Sequence, residues 1–499
     1  MKVFKEMVTL VTKQRLGKVD LIDEKITEDN NNLYHKLFQG IYDGTFSSDE
    51  EAARSIYQTS PGDKKYLMLK SRLKERLINS LFFLNYRKTT VSPYQQAVYT
   101  CNRNYFSAKI LLTHGARTSA ISMAKSTLTQ SIKFDLNELV FLNAKMLRHH
   151  SGMMGLKKDF QRFDLIMKKA QNVLKAEGRA EFMYESLLIQ FARSKTFKPE
   201  FAAKAREYYN QSKEFAKHYH TFHVQLIHYR IGLQYYQIIR DYRKTLTLCN
   251  RFEIFQKKHP NFHLDSREGE IALLKMVCCL FLREYKNGLQ YAEDALKYYS
   301  QGSNNWFIVM ENYFLLALHG MEFKQATSIY GAVTAHPRYQ YLSAEKLEKW
   351  KIFQAYLNYV SPDAKIEFKI LKFLNEVPIY SKDKAGFYPA ILIAQILYLM
   401  NRKDDDRLDK NMESLRIFSS RYLSVKTAPR TTLFIKRLRQ IINQFQKVEL
   451  NRQKFHSYLQ NLKISDFGPQ GETDTMEIIP YENILHIITA NLQPVKTPQ

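Results

Sequence analysis

The feature that most constrains this chain is a short phrase that returns about every forty residues. Asp241-Tyr242-Arg243-Lys244, Glu284-Tyr285-Lys286-Asn287 and Glu322-Phe323-Lys324-Gln325 each set an acid, an aromatic and a polar or basic pair at the head of a segment with helical periodicity. The aromatic residues stand 43 and 38 positions apart, and Asp159-Phe160-Gln161-Arg162 lies 82 positions before Tyr242. A period of this size belongs to stacked supersecondary units, because one helical hairpin cannot bury its own apolar face.

With that period the chain divides into expected hairpins: 103–114 with 115–132, 137–150 with 157–176, 180–194 with 199–218, and 221–240 with 241–258. They continue as 267–283 with 286–299, 304–320 with 322–334, 343–360 with 363–376, 386–401 with 404–423, and 429–447 with 448–463. Lys198-Pro199, His259-Pro260, His336-Pro337, Ser361-Pro362 and Ala428-Pro429 supply breaks where helices must stop. Only 17 Gly and 13 Pro occur in 499 residues, and alternation with the period of a strand is scarce. The expected fold is all-α. Residues 1–90 read as an N-terminal helical module or cap, with helices near 2–16, 31–42, 48–58 and 63–85. Residues 91–463 read as the repeat array, and 464–499 as a linker followed by a short apolar segment over Tyr481–Ile488 that folds back or docks into a partner.

LFLREYKNGLQYAEDALKYY (280–299) and LALHGMEFKQATSIYGAVTAHP (316–337) resemble the tetratricopeptide-like family of helical repeats. Tyr285, Gly288, Ala292 and Ala295 in the first, and Gly320, Phe323, Ala326, Tyr330 and Pro337 in the second, carry the resemblance. Gly115, Ala116, Ala120 and Ala124 repeat the same small-residue spacing. The units run nearer 40 residues than the family's 34, so they resemble its longer, degenerate members. The resemblance implies a right-handed α-solenoid whose concave face binds proteins or peptides.

The formal charge is +26, and two stretches hold no acid at all: residues 76–134, and 414–448. Such a field favours an anionic partner. Aromatic and basic residues also interleave around Tyr208, Arg230, Tyr235 and Arg240, the side-chain types that dominate interfaces. The function expected is therefore a non-catalytic scaffold or regulatory adaptor that binds a protein or acidic peptide on a basic, Tyr/Arg-rich surface. The alternative is an RNA- or DNA-associated protein that engages phosphates through the two acid-free stretches. Candidate contact residues are Lys65, Lys70, Arg72, Lys74, Arg76, Tyr208, Arg230, Tyr235, Arg240, Lys436, Arg437 and Arg439.

The front segment TSPGDKKYLMLKSRLKERL (59–77) invites comparison with a DNA-reading helix-turn-helix. Its helix is too long for that role and ends in LFFL, so it reads as a structural hairpin with an apolar stripe of Tyr66, Leu69, Leu73, Leu77 and Leu84. Lys70 and Lys74 fall in an apolar arc and must snorkel, face a cleft, or pair with acids such as Glu50 or Glu51. No phosphate-loop, zinc-protease or nucleophile-elbow motif occurs, and no enzyme, cofactor or metal is expected. His218, His220, His223 and His228 lack a matching Cys or carboxylate register, and Cys278-Cys279 sit in an apolar helix as small hydrophobes. Lys5, Glu6 and Lys13 interrupt the opening segment as a signal peptide, and no run of 18 apolar residues offers a membrane span. With four scattered cysteines, a cytoplasmic protein is expected.

Overall fold

The computed structural model describes residues 32–46, 48–81, 92–193, 199–361, 368–375, 387–422, 429–445, 460, 462 and 477–492. The helix expected over 2–16 and the linker 464–476 lie outside the described residues, as does the helix expected over 448–463 apart from Gln460 and Leu462. Every regular element among the described residues is helical. The chain divides into two compact units at Lys175/Ala176, a point inside one long helix.

Unit 1 opens with α1 (Leu33–Tyr42), α2 (Asp49–Tyr57) and α3 (Lys64–Leu81), followed by α4 (Pro93–Thr113), α5 (Arg117–Lys133), α6 (Asn137–Met153) and the first part of α7 (Lys157–Arg193). Asn32 and Ser48 cap α1 and α2 through their side chains. Leu37, Ala52, Ala53, Tyr66, Leu69 and Leu73 form a small core for the first three helices. Leu77, expected in the same stripe, is instead 40% exposed, because the stripe drifts off the contact face after Leu73.

Unit 2 takes the rest of α7 and continues through α8 (Pro199–His218), α9 (Phe222–Ile238), α10 (Tyr242–Lys257), α11 (Asp265–Leu282) and α12 (Tyr285–Leu296). Then come α13 (Asn304–His319), α14 (Phe323–Thr334), α15 (Ala344–Val360), α16 (Ile370–Asn375), α17 (Tyr388–Arg402), α18 (Asp405–Tyr422), α19 (Pro429–Phe445) and α20 (Tyr481–Leu492). Consecutive helices pack on one another, and α11 also meets α13 as α15 meets α17. One continuous core runs from Ala272 to Ile488. The boundaries expected for 157–176 and 180–194 merge into the single helix α7. Gly178 is the one weak point between them, and a lone helical glycine costs only about 1 kcal/mol.

The recurring phrase has a backbone cause. Gly115, Asp135, Gly155, Arg240, Arg283, Met321 and Lys403 each adopt left-handed φ between 51° and 79°, two residues before a helix begins. At each, the following amide bonds the carbonyl five residues back: Asp241 to Tyr236 at 2.9 Å, Glu284 to Cys279 at 2.8 Å, Glu322 to Ala317 at 2.8 Å. This closure satisfies helix-end carbonyls and turns the chain within two residues. The acid of the phrase is the next residue, and Asp241 caps the Lys244 amide at 3.0 Å. The aromatic then packs on the neighbouring first helix, Tyr242 stacking on Phe281 at 4.3 Å and Tyr285 meeting His319 at 5.6 Å. Junctions between hairpins differ: Thr221, Ser303 and Ser343 cap the incoming helix.

Close approach within one hairpin and to the first helix of the next rests on Gly288. A Cβ there would lie 2.5 Å from Leu316 Cδ2 and 3.1 Å from Cys279 Cβ. Gly288→Ala is expected to destabilise by about 1–3 kcal/mol. Gly331→Ala, where nothing lies within 4 Å, should instead gain up to about 1 kcal/mol. Thermal midpoints of the two variants check the pair; equal shifts would discount the tight contact.

Candidate interaction face

Along unit 2, first helices of successive hairpins lie beside one another from α7 to α17. Side-chain pairs bridge three such junctions: Glu181 of α7 with His223 of α9 at 2.7 Å, Arg230 of α9 with Glu270 of α11 at 3.0 Å, and Glu311 of α13 with Lys349 of α15 at 2.9 Å. Beneath the surface, buried Tyr356 and Tyr398 tie α15 to α17 reciprocally, donating to the Ala390 carbonyl at 2.8 Å and the Ala355 carbonyl at 2.7 Å. The result is a face to which several hairpins contribute in turn.

The residues singled out from sequence fall unequally on the two units. Tyr208 is 5% exposed and belongs to the core with Met183, Leu187 and Ile231, so it offers no surface. The aromatic spacing could not show this, because adjacent Tyr208 and Tyr209 lie about 100° apart on their helix. Tyr209 takes the aromatic stack, against His228 at 5.3 Å and Tyr235 at 5.6 Å, and burial holds its phenol up at about 12. Tyr235 is half-buried in that stack. Arg230 is partly exposed and balanced by Glu270, with the Tyr184 ring 5.8 Å away. Arg240 is the left-handed junction residue. On α19, Lys436 and Arg439 are exposed, while Arg437 donates to Gln440 at 2.8 Å.

In unit 1, Lys65, Arg72 and Lys74 are exposed, and the Arg76 guanidinium lies 4.0 Å from the centre of the Tyr34 ring. Lys70 pairs with Asp49 at 2.6 Å rather than with Glu50 or Glu51. Asp49 also accepts from the Tyr66 hydroxyl at 2.7 Å, so the lysine closes a polar contact at the edge of the small core. The acid-free stretch 76–134 falls in unit 1 and 414–448 in unit 2.

Among the described residues no group of three metal-ligating side chains converges. His223 meets Glu181, and His228 Nδ1 lies 2.9 Å from Ser212 Oγ. Cys101, Cys249, Cys278 and Cys279 are all buried thiols. Burial pushes Cys249 up to about 12 and Cys279 to about 11, well outside the range of a reactive thiolate.

The strongest polar cluster escaped the sequence reading. Arg430, 3% exposed, forks onto Glu477, with Nε to Oε2 at 2.8 Å and Nη2 to Oε1 at 2.6 Å. It also donates to Glu482 and to the Leu462 carbonyl. Arg283 reaches Glu482 at 3.4 Å, and His319 Nε2 donates to the Glu477 carbonyl at 2.7 Å. Tyr481 stacks on Phe434 at 4.0 Å. These partners are 32 to 199 residues apart in sequence, beyond any local motif. The available signal was the pair of carboxylates, Glu477 and Glu482, bracketing an apolar stretch that has no solvent-facing period. Beside Arg283, an open groove of about 570 Å³ is lined by Tyr285, Lys286, Asn287 and Glu322.

No family model, curated protein or solved structure matches this chain. Among the described residues no helix is long and apolar enough to cross a membrane.

Proposed function

We propose that the chain is a non-catalytic helical-repeat adaptor of tetratricopeptide-like type, cytoplasmic, whose stacked first helices bind an acidic segment of another protein. The observation that carries this reading is the seam of Glu181–His223, Arg230–Glu270 and Glu311–Lys349, which builds one surface from successive hairpins. A right-handed solenoid would turn that surface into a concave groove. The charge of +26 draws an acidic ligand to it. Exposed Lys436 and Arg439 add to the positive charge of unit 2, and exposed Lys65, Arg72 and Lys74 to that of unit 1.

A second reading rests on a separate observation in unit 1. Arg117 and Lys125 on α5 and His149 on α6 lie near enough to His150 that, after burial, their positive field holds its pKa below the usual value. A basic edge of this kind suits phosphates. Purification of the full chain from its native cells, with and without nuclease, separates the two. The adaptor reading expects protein partners that survive nuclease and weaken with salt. Partners lost on nuclease treatment would reverse the order.

A further inference from the structure

The segment 477–492 is seated in unit 2 as a ligand is seated in a receptor. Its apolar side chains Ile478, Ile479, Ile484, Leu485 and Ile488 are at most 1% exposed. Between them it presents two carboxylates five residues apart, and both find arginine. Glu477 takes the bidentate fork of Arg430 and caps the Tyr481 amide at 2.6 Å, while Glu482 is shared by Arg430 and Arg283. The Tyr481 ring lies on Phe434 and its hydroxyl is 3.3 Å from Thr431 Oγ1.

A segment that only completed a core would need none of this. Replacing a buried ion cluster by apolar residues of similar volume is commonly neutral or stabilising, whereas forked arginine–carboxylate geometry fixes register and rejects other sequences. The receptor side comes from three separate hairpins: Arg283 at the end of α11, His319 on α13, and Arg430, Thr431 and Phe434 on α19. The order read by these groups is carboxylate, two aliphatics, proline, aromatic, carboxylate.

We infer that this seat on α11, α13 and α19 is a peptide-recognition site and that residues 477–492 are its intramolecular occupant. A partner segment with the same order, Glu-aliphatic-aliphatic-Pro-aromatic-Glu, competes for it. The inference rests on the adaptor reading and names the chemistry of the partner. Charge complementarity to Arg430 and Arg283, and the segment already seated there, commit the site to an acidic, helix-starting peptide.

The test uses the full chain with a specific protease site placed between residues 463 and 476, cleaved after folding. A fluorescent synthetic peptide covering 477–499 is added, and its incorporation is followed by anisotropy while circular dichroism reports the fold. The expected result is that the nicked chain stays folded and takes up the labelled peptide. A peptide carrying Glu477→Gln and Glu482→Gln should be taken up at least about tenfold more weakly. Loss of helical signal on nicking, absence of uptake by a folded nicked chain, or equal uptake of the substituted peptide would each overturn the inference. Failure here with nuclease-resistant partners still recovered removes the recognition site and leaves the adaptor reading. Uptake with no such partners removes the adaptor reading alone.

Discussion

Replacing Arg430 with methionine is expected to lower the stability of unit 2 by about 3–5 kcal/mol. The loss does not come from a missing attraction alone. Glu477 and Glu482, 6% and 7% exposed, would stay buried without their main counter-charge, and the Leu462 carbonyl would lose a donor. Burial already pushes the Glu477 carboxyl upward, and Arg430 is the principal group opposing that shift. Domains are stable by only about 5–15 kcal/mol, so a change of this size should move the urea midpoint visibly. Arg439→Met, on the exposed side of the same helix, is the control and should stay within about 0.5 kcal/mol. Adding Glu477→Gln and Glu482→Gln to Arg430→Met should recover part of the loss, because the uncompensated charges are gone. A midpoint for Arg430→Met equal to that of Arg439→Met would refute the account of the cluster.

Mild acid is expected to destabilise unit 2 well before its carboxylates titrate in the ordinary range. Burial lowers His319 to about 4, with Arg430 and Arg283 adding to the effect against Glu482 and the Glu477 carbonyl. Burial likewise lowers His228 to about 4, helped by Lys213. A histidine with a depressed folded pKa binds a proton more readily when unfolded. Its contribution is therefore present above its ordinary value near 6.5 and is lost as pH falls from there through about 4. Each contributes on the order of 3 kcal/mol over that window. Glu477 acts in the opposite sense: its raised folded pKa gives stability that is present below the ordinary carboxylate value and lost as pH rises through the folded one. Thermal midpoints from about pH 7 to about pH 4.5 should fall steeply. His228→Gln with His319→Gln should start lower at neutral pH and fall less. An unchanged slope in the double variant would count against the two histidines.

Much of the fold was legible because its grammar is local. The acid of each phrase follows the left-handed turn, where Asp241 also caps its helix, the aromatic seals it to the next hairpin, and the prolines mark boundaries, so Tyr242 and Tyr285 could be placed from sequence. Local signals failed where geometry needs a third dimension. The separate helices expected over 157–176 and 180–194 are one helix, α7, whose flanking turns run through Gly178. Tyr208 and Tyr209 look alike in the chain, yet one is core and the other part of a half-buried stack. For Lys70 the sequence left snorkelling, a cleft, or an acid such as Glu50 or Glu51 open; the partner is Asp49, whose position at the head of α2 also meets Tyr66. The Arg430 cluster was not legible, since a basic residue in an acid-free stretch reads as surface until its distant partners are known.

A linear stack of hairpins holds only nearest-neighbour terms and can fray from either end. The contact between Arg283 and Glu482 spans 199 positions, and the same short segment touches α11, α13 and α19. That turns a string of units into a loop with a clasp. Unit 2 should then melt in one transition rather than peel hairpin by hairpin, and it should fold slowly, because the clasp can close only after the hairpins it joins have formed.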